Sequence, residues 1–89
     1  MMASKFTCDI HSMDKIIAEN RKVAVLYTQP GCPYCGPYAE TVKSTLKDKP
    51  VALVEVSLSE KNPECGVLAD TMKVDGTPTL LLFEDKKLK

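Results

Sequence analysis

Gly31-Cys32-Pro33-Tyr34-Cys35-Gly36 sets two thiols three positions apart, where an apolar run, Val23 to Tyr27, gives way to a helical pattern. If the helix opens at the first thiol, the two Cα atoms stand about 5–6 Å apart on neighbouring turns, within the separation a disulfide tolerates. Cys32 then faces unpaired backbone N–H groups and the positive end of the helix dipole, which favour a thiolate near neutral pH. The thiolate is the attacking species in disulfide exchange. Cys32 is therefore the candidate nucleophile, and Cys35, one turn inside, the thiol that resolves a mixed disulfide.

Zinc sites also open with Cys-x-x-Cys, but they usually need a second pair at similar spacing. The remaining thiols, Cys8 and Cys65, lie far apart, there is no His-x-x-x-His, and the one histidine is His11. The strand-to-helix context favours redox chemistry over a metal and over an accidental pair.

Eighty-nine residues make one domain, 1–89, in which folding hides only about 60% of the unfolded chain's surface. Twelve basic and twelve acidic residues cancel, leaving no overall field to draw in nucleic acid, anionic lipid or an acidic substrate. No apolar run approaches the roughly 20 residues that cross a bilayer. Met1-Met2-Ala3-Ser4-Lys5 lacks the hydrophobic stretch of a secretory signal. A reducing cytoplasm is the expected location. An oxidised secreted scaffold is disfavoured, because two of the four cysteines already sit in a redox spacing.

The elements that must position the thiols follow from periodicity. Lys5 to Ile10 alternates loosely as a short first strand. Ser12 is the expected cap of a helix over 13–20, with Met13, Ile16 and Ile17 inward. Val23 to Tyr27 reads as a central strand covered on both faces. A helix runs from the thiols to about Asp48, with Pro37 expected to bend or fray its start. Val51 to Val56 is the next buried strand, and Pro63 to Met72 a short helix with Val67, Leu68 and Met72 inward. A turn over Val74 to Pro78 leads into the strand Thr79 to Phe83, and Lys87 to Lys89 is the expected last edge strand. The order βαβαβαββ is that of an α/β domain around a mixed sheet.

With Cys32-Pro33-Tyr34-Cys35 at the end of a strand and Thr77-Pro78 some forty residues later, nearly the whole chain resembles the thioredoxin superfamily. The resemblance implies a thioredoxin-like fold, a mixed central sheet flanked by helices, and a cis Thr77-Pro78 bond beside the redox pair. It also implies that Gly31, Tyr34, Thr77 and Pro78 meet the substrate, the backbone of Thr77 pairing with an extended chain or with glutathione. Pro33-Tyr34 between the cysteines is similar to dithiol glutaredoxins. The strand and helix before Val23, and Thr79 to Phe83, look like thioredoxin. The tryptophan of thioredoxins and the Gly-Gly pair of glutaredoxins are both absent.

Two departures bear on mechanism. Thioredoxins carry a buried aspartate that helps take the proton from the second cysteine, and Leu26 stands at the matching position; the resemblance then leaves that step to water or to another base, Glu40 or Lys47, each better read as a solvated helix residue. Family members usually continue past the last strand into a C-terminal helix, and this sequence ends at Lys89; the expectation is that Leu80 or Leu82 faces water unless a partner, a second copy or a swapped element covers it, the alternative being a truncated product. Of the remaining thiols, Cys8 reads as buried and inert and Cys65 as a small, partly buried residue; a bridge between them is the less favoured reading. Lys86, Lys87 and Lys89 form a charged edge that discourages strand addition.

The expected activity is that of a dithiol–disulfide oxidoreductase acting on protein or glutathione-mixed disulfides. Thioredoxin reductase or glutathione would be the reductant, with no metal or organic cofactor, no nucleic acid and no membrane. Two rivals remain: a binding module that uses the groove beside Pro78 without turnover, and a homodimer bridged by zinc through Cys32 and Cys35.

Overall fold

The computed structural model describes residues 5–59 and 61–89. Five strands and three helices alternate as β1 (Lys5–Phe6), α1 (Ile10–Glu19), β2 (Lys22–Thr28), α2 (Cys35–Leu46), β3 (Ala52–Ser57), α3 (Pro63–Thr71), β4 (Thr79–Glu84) and β5 (Lys87–Leu88). The order is βαβαβαββ, as periodicity predicts. In the sheet the strands run β1-β3-β2-β4-β5, with β1, β3 and β2 parallel and β4 and β5 antiparallel to their neighbours.

β2 is the middle strand, and every residue from Val23 to Tyr27 is buried. Its unbroken apolar run is needed because both faces are covered. Val23, Val25 and Tyr27 point to one side, where Met13 of α1 and Cys65, Leu68 and Ala69 of α3 complete the larger core. Ala24 and Leu26 point to the other, against Val42, Ala39 and Leu46 of α2. β3 alternates likewise, Ala52, Val54 and Val56 joining the first cluster and Leu53 the second. Each fully buried side chain of this size contributes about 1.5–3 kcal/mol.

Several local expectations are corrected. The first strand ends at Phe6, and α1 opens at Ile10 with Asp9 as its cap in place of Ser12. Asp9 Oδ2 accepts from the Ser12 N–H at 3.0 Å and the Ser12 hydroxyl at 2.8 Å. These bonds, the hydroxyl foremost, hold the Asp9 carboxyl below its usual range. Two capping residues stand three apart, and the first wins because the second then supplies the donor it needs. On α3 the inward stripe is Cys65, Leu68, Ala69 and half-buried Met72, while Val67 is 64% exposed. Cys65, Leu68, Ala69 and Met72 follow the three-four spacing of one helical face, and Val67 falls outside it.

α2 begins at Cys35, three residues later than expected, and ends at Leu46. Pro37 lies inside its first turn. As the third helical residue, its nitrogen falls among the first four, which have no intrahelical partner to lose. Past β4, Asp85 and Lys86 both take positive φ, 53° and 70°, in the two-residue turn that pairs Lys87 and Leu88 with Glu84 and Phe83. Leu80 is half-buried and Leu82 46% exposed, so of these two it is Leu82 that faces solvent.

Candidate active site

The loop after Thr28 carries the redox motif. Gly31 has φ +82°, the left-handed region that glycine enters without steric penalty. Cys32 N–H donates to the Gln29 carbonyl at 3.3 Å and Cys35 N–H to the Cys32 carbonyl at 3.4 Å. Cys32 thus sits in a turn ahead of α2, not within it. Pro33 and Tyr34 occupy that turn, and Tyr34 is the helix cap position.

The two thiols are joined as a disulfide with their Cα atoms 5.4 Å apart, in the range the spacing predicts. Cys32 is half-buried and Cys35 only 5% exposed. This asymmetry suits an attacking sulfur that meets the substrate and a resolving sulfur that meets only its mate. Tyr34 stands 74% exposed beside them, and Tyr38, one turn on, 36%.

The second half of the site reaches the same end of the sheet from the neighbouring strand. Thr79, the first residue of β4, pairs with Tyr27 near the end of β2. The residues just before Thr79 therefore emerge next to the residues just after Thr28, about 4.8 Å away across the ladder. These are Thr77 and Pro78, half-buried, joined by a cis peptide bond as the resemblance implies. Beside the redox loop, Gln29, Pro30, Leu58, Ser59 and Lys61 line an open cleft of about 430 Å³.

Leu26, where the resemblance places a carboxylate, is fully buried, and Glu40 on α2 and Lys47 just past its end are exposed. A different carboxylate lies under the helix. Glu55 of β3 is 6% exposed and stands in register beside Leu26. Its Oε1 lies 3.2 Å from Lys43 Nζ of α2. Sequence reading passed over this pair. Its signal was there: one acidic residue inside an otherwise apolar strand run, Val51 to Val56.

A second disulfide joins Cys8, in the loop after β1, to Cys65 in the first turn of α3, with Cα atoms 4.7 Å apart. This corrects the reading of two independent thiols. Cys65 is fully buried and Cys8 half-buried against the larger core, which brings together sulfurs that sequence separates widely. Among the described residues no three His, Cys, Asp or Glu side chains cluster as metal ligands would, and no helix is long and apolar enough to cross a membrane.

No curated protein matches the chain. Among solved structures, the oxidised thioredoxin from Plasmodium falciparum is 17% identical with a TM-score of 0.79, over 98% of this chain and 81% of that one. A mutant thioredoxin from Halobacterium salinarum is 21% identical with a TM-score of 0.83, over 97% and 73%. The oxidised mitochondrial thioredoxin 3 from Saccharomyces cerevisiae is 17% identical with a TM-score of 0.82, over 96% and 77%. At these identities the likeness shows the fold. The sequence profile of the thioredoxin-like domain matches residues 10–87, and the chain belongs to that family.

Proposed function

We propose that the protein is a dithiol–disulfide oxidoreductase that reduces disulfides of protein substrates through Cys32 and Cys35, with Gly31, Tyr34, Thr77 and Pro78 framing the bound chain. The observation that carries this is the half-buried Cys32 joined to buried Cys35 ahead of α2, in a thioredoxin-like domain. In the reduced protein the Cys32 thiolate attacks a substrate disulfide and displaces one substrate thiolate. Cys35 then attacks Cys32, expels the second and closes the pair, so the substrate is reduced as the protein is oxidised. The cycle we infer runs in the cytoplasm, with thioredoxin reductase or glutathione restoring the dithiol and no other cofactor.

Insulin reduction by wild type, Cys32→Ser and Cys35→Ser tests it. Wild type should turn over, Cys32→Ser should be inactive, and Cys35→Ser should accumulate a mixed disulfide visible by intact mass. Equal rates in wild type and Cys32→Ser would overturn the assignment. Supplying glutathione or thioredoxin reductase in turn identifies the reductant.

A further inference from the structure

The bridge between Cys8 and Cys65 is covered unequally. Cys65 is fully buried in the larger core, whereas Cys8 is half-buried and lines an open cavity of about 540 Å³. Ile10 and Val67, 39% and 64% exposed, give this cavity apolar walls. Asp9 and Glu64 bring two exposed carboxylates to it, and none of the described residues that line it carries a positive charge. The Asp9 carboxylate is fixed there by the bonds it accepts from the Ser12 N–H and hydroxyl.

A bond that served only to staple the chain would gain nothing from bordering a cavity. Disulfide exchange, by contrast, depends on access to one of the two sulfurs and on how readily the other departs. Burial closes Cys65 to an incoming sulfur, and Cys8 borders open space. Cys65 lies in the first turn of α3, where the helix dipole favours a departing thiolate. The attacked and leaving sulfurs are thereby distinguished. The two carboxylates add a preference among attackers, because a thiolate on an anionic molecule is repelled and one that also carries an ammonium group is not.

We propose that Cys8 is a second exchange site, at which a small thiol bearing a positive charge opens the Cys8–Cys65 bridge in the folded protein. The inference stands apart from the chemistry proposed for Cys32 and Cys35. The incoming thiolate forms a bond to Cys8 Sγ, the bond between Cys8 and Cys65 breaks, and Cys65 Sγ keeps the electron pair and takes a proton from water. The product is a mixed disulfide at Cys8, seated in the cavity. A second thiolate then attacks the adduct sulfur and frees Cys8, so that two small thiols are oxidised to their disulfide as the bridge is reduced. What the bridge ties together, the loop after β1 and α3, is released by the same step.

The full chain carrying Cys32→Ser and Cys35→Ser leaves one bridge to follow. It is treated with cysteamine, which carries an ammonium group, or with 2-mercaptoethanesulfonate, which carries a sulfonate, each rate being normalised to the same thiol's rate on neutral hydroxyethyl disulfide. Cysteamine should be faster by about fivefold or more at low ionic strength, and the gap should narrow in salt. Acid quenching and peptide mapping should find the adduct on Cys8. Rates should rise in proportion to thiol and stay flat in urea below the unfolding transition. Asp9→Asn with Glu64→Gln, which keeps a good cap at the start of α1, should erase the preference. A rate that climbs with urea as steeply as global unfolding would show that the bridge opens only in the unfolded chain, and would overturn the site. An adduct found mainly on Cys65 would do the same. Equal normalised rates, or a preference that survives the double charge removal, would overturn the assignment of a cationic thiol.

Discussion

Cys8 and Cys65 are joined through their sulfurs across a sequence separation of 57, with Cα atoms 4.7 Å apart. The bond fastens the loop after β1 to α3, and it matters because β1 is only two residues long. Lys5 and Phe6 pair with Val54 and Glu55, and the Thr7 N–H adds one bond to the Glu55 carbonyl at 3.3 Å. In the chain-entropy picture, closing a loop of this length is worth about 4 kcal/mol, a large part of the roughly 5–15 kcal/mol that holds a domain together. Urea unfolding of the Cys8→Ser/Cys65→Ser protein should show a loss of about 2–4 kcal/mol, with disulfide reduction at Cys32 retained. A loss under about 0.5 kcal/mol would mean that the bridge does not constrain the unfolded chain.

The ion pair between Lys43 and Glu55 is lopsided, since the lysine side chain is 44% exposed and the glutamate 7%. Removing either partner therefore has different consequences. Lys43→Met strands a carboxylate inside the fold and should cost about 1–3 kcal/mol. Glu55→Gln leaves a lysine that can swing into water and should cost about 1 kcal/mol or less. Denaturant midpoints at constant m-value check the order, and the reverse order would contradict the burial seen for Glu55.

Tyr27 is fully buried, and its hydroxyl donates to Met72 Sδ at 2.6 Å. Burial pushes the phenol up to about 12 from 10.0. The unfolded chain releases this proton first on going alkaline, so the contribution of Tyr27 is complete below about pH 10 and fades as pH rises toward about 12. Over that window wild type should lose about 2–3 kcal/mol more than Tyr27→Phe, as read by urea melts at several pH values. Parallel curves for the two proteins would show that the phenol titrates freely.

Val67 and Leu68 are sequence neighbours on α3 with opposite fates, 64% and 1% exposed. Leu68→Ala should destabilise by about 2–5 kcal/mol because it opens a void between α3 and the sheet. Val67→Ala should stay within about 0.5 kcal/mol. Thermal melts of the two variants give the comparison directly, and equal losses would place Val67 in the core.

The parts legible in the chain are those whose signal is local. The run Val23 to Tyr27 announces a strand covered on both sides, and Cys32-Pro33-Tyr34-Cys35 with Thr77-Pro78 marks both halves of the proposed site. The start of α2 was harder, because Pro33 and Tyr34 are acceptable both in a first helical turn and in the tight turn they occupy. Cys8 and Cys65 meet only after β1, β3 and α3 have assembled, so no spacing rule connects them. Glu55 is legible as a strand residue, but its partner is on a helix, and whether a charge points into the core or out of it depends on sheet register.

β2 and β4 run in opposite directions with Tyr27 set against Thr79, so the two loops of the proposed site hang from a single rung of the ladder. Side chains alternate at every step, and excising one residue from β4 would turn Leu81 and Phe83 out of the larger core while pulling Pro78 away from the thiols. The tolerant ground lies at the opposite pole, in the stretch from Lys47 to Pro50 between α2 and β3, where inserted residues would leave that rung intact. A library of single-residue insertions and deletions should therefore divide sharply, sparing one pole of the sheet and emptying the other.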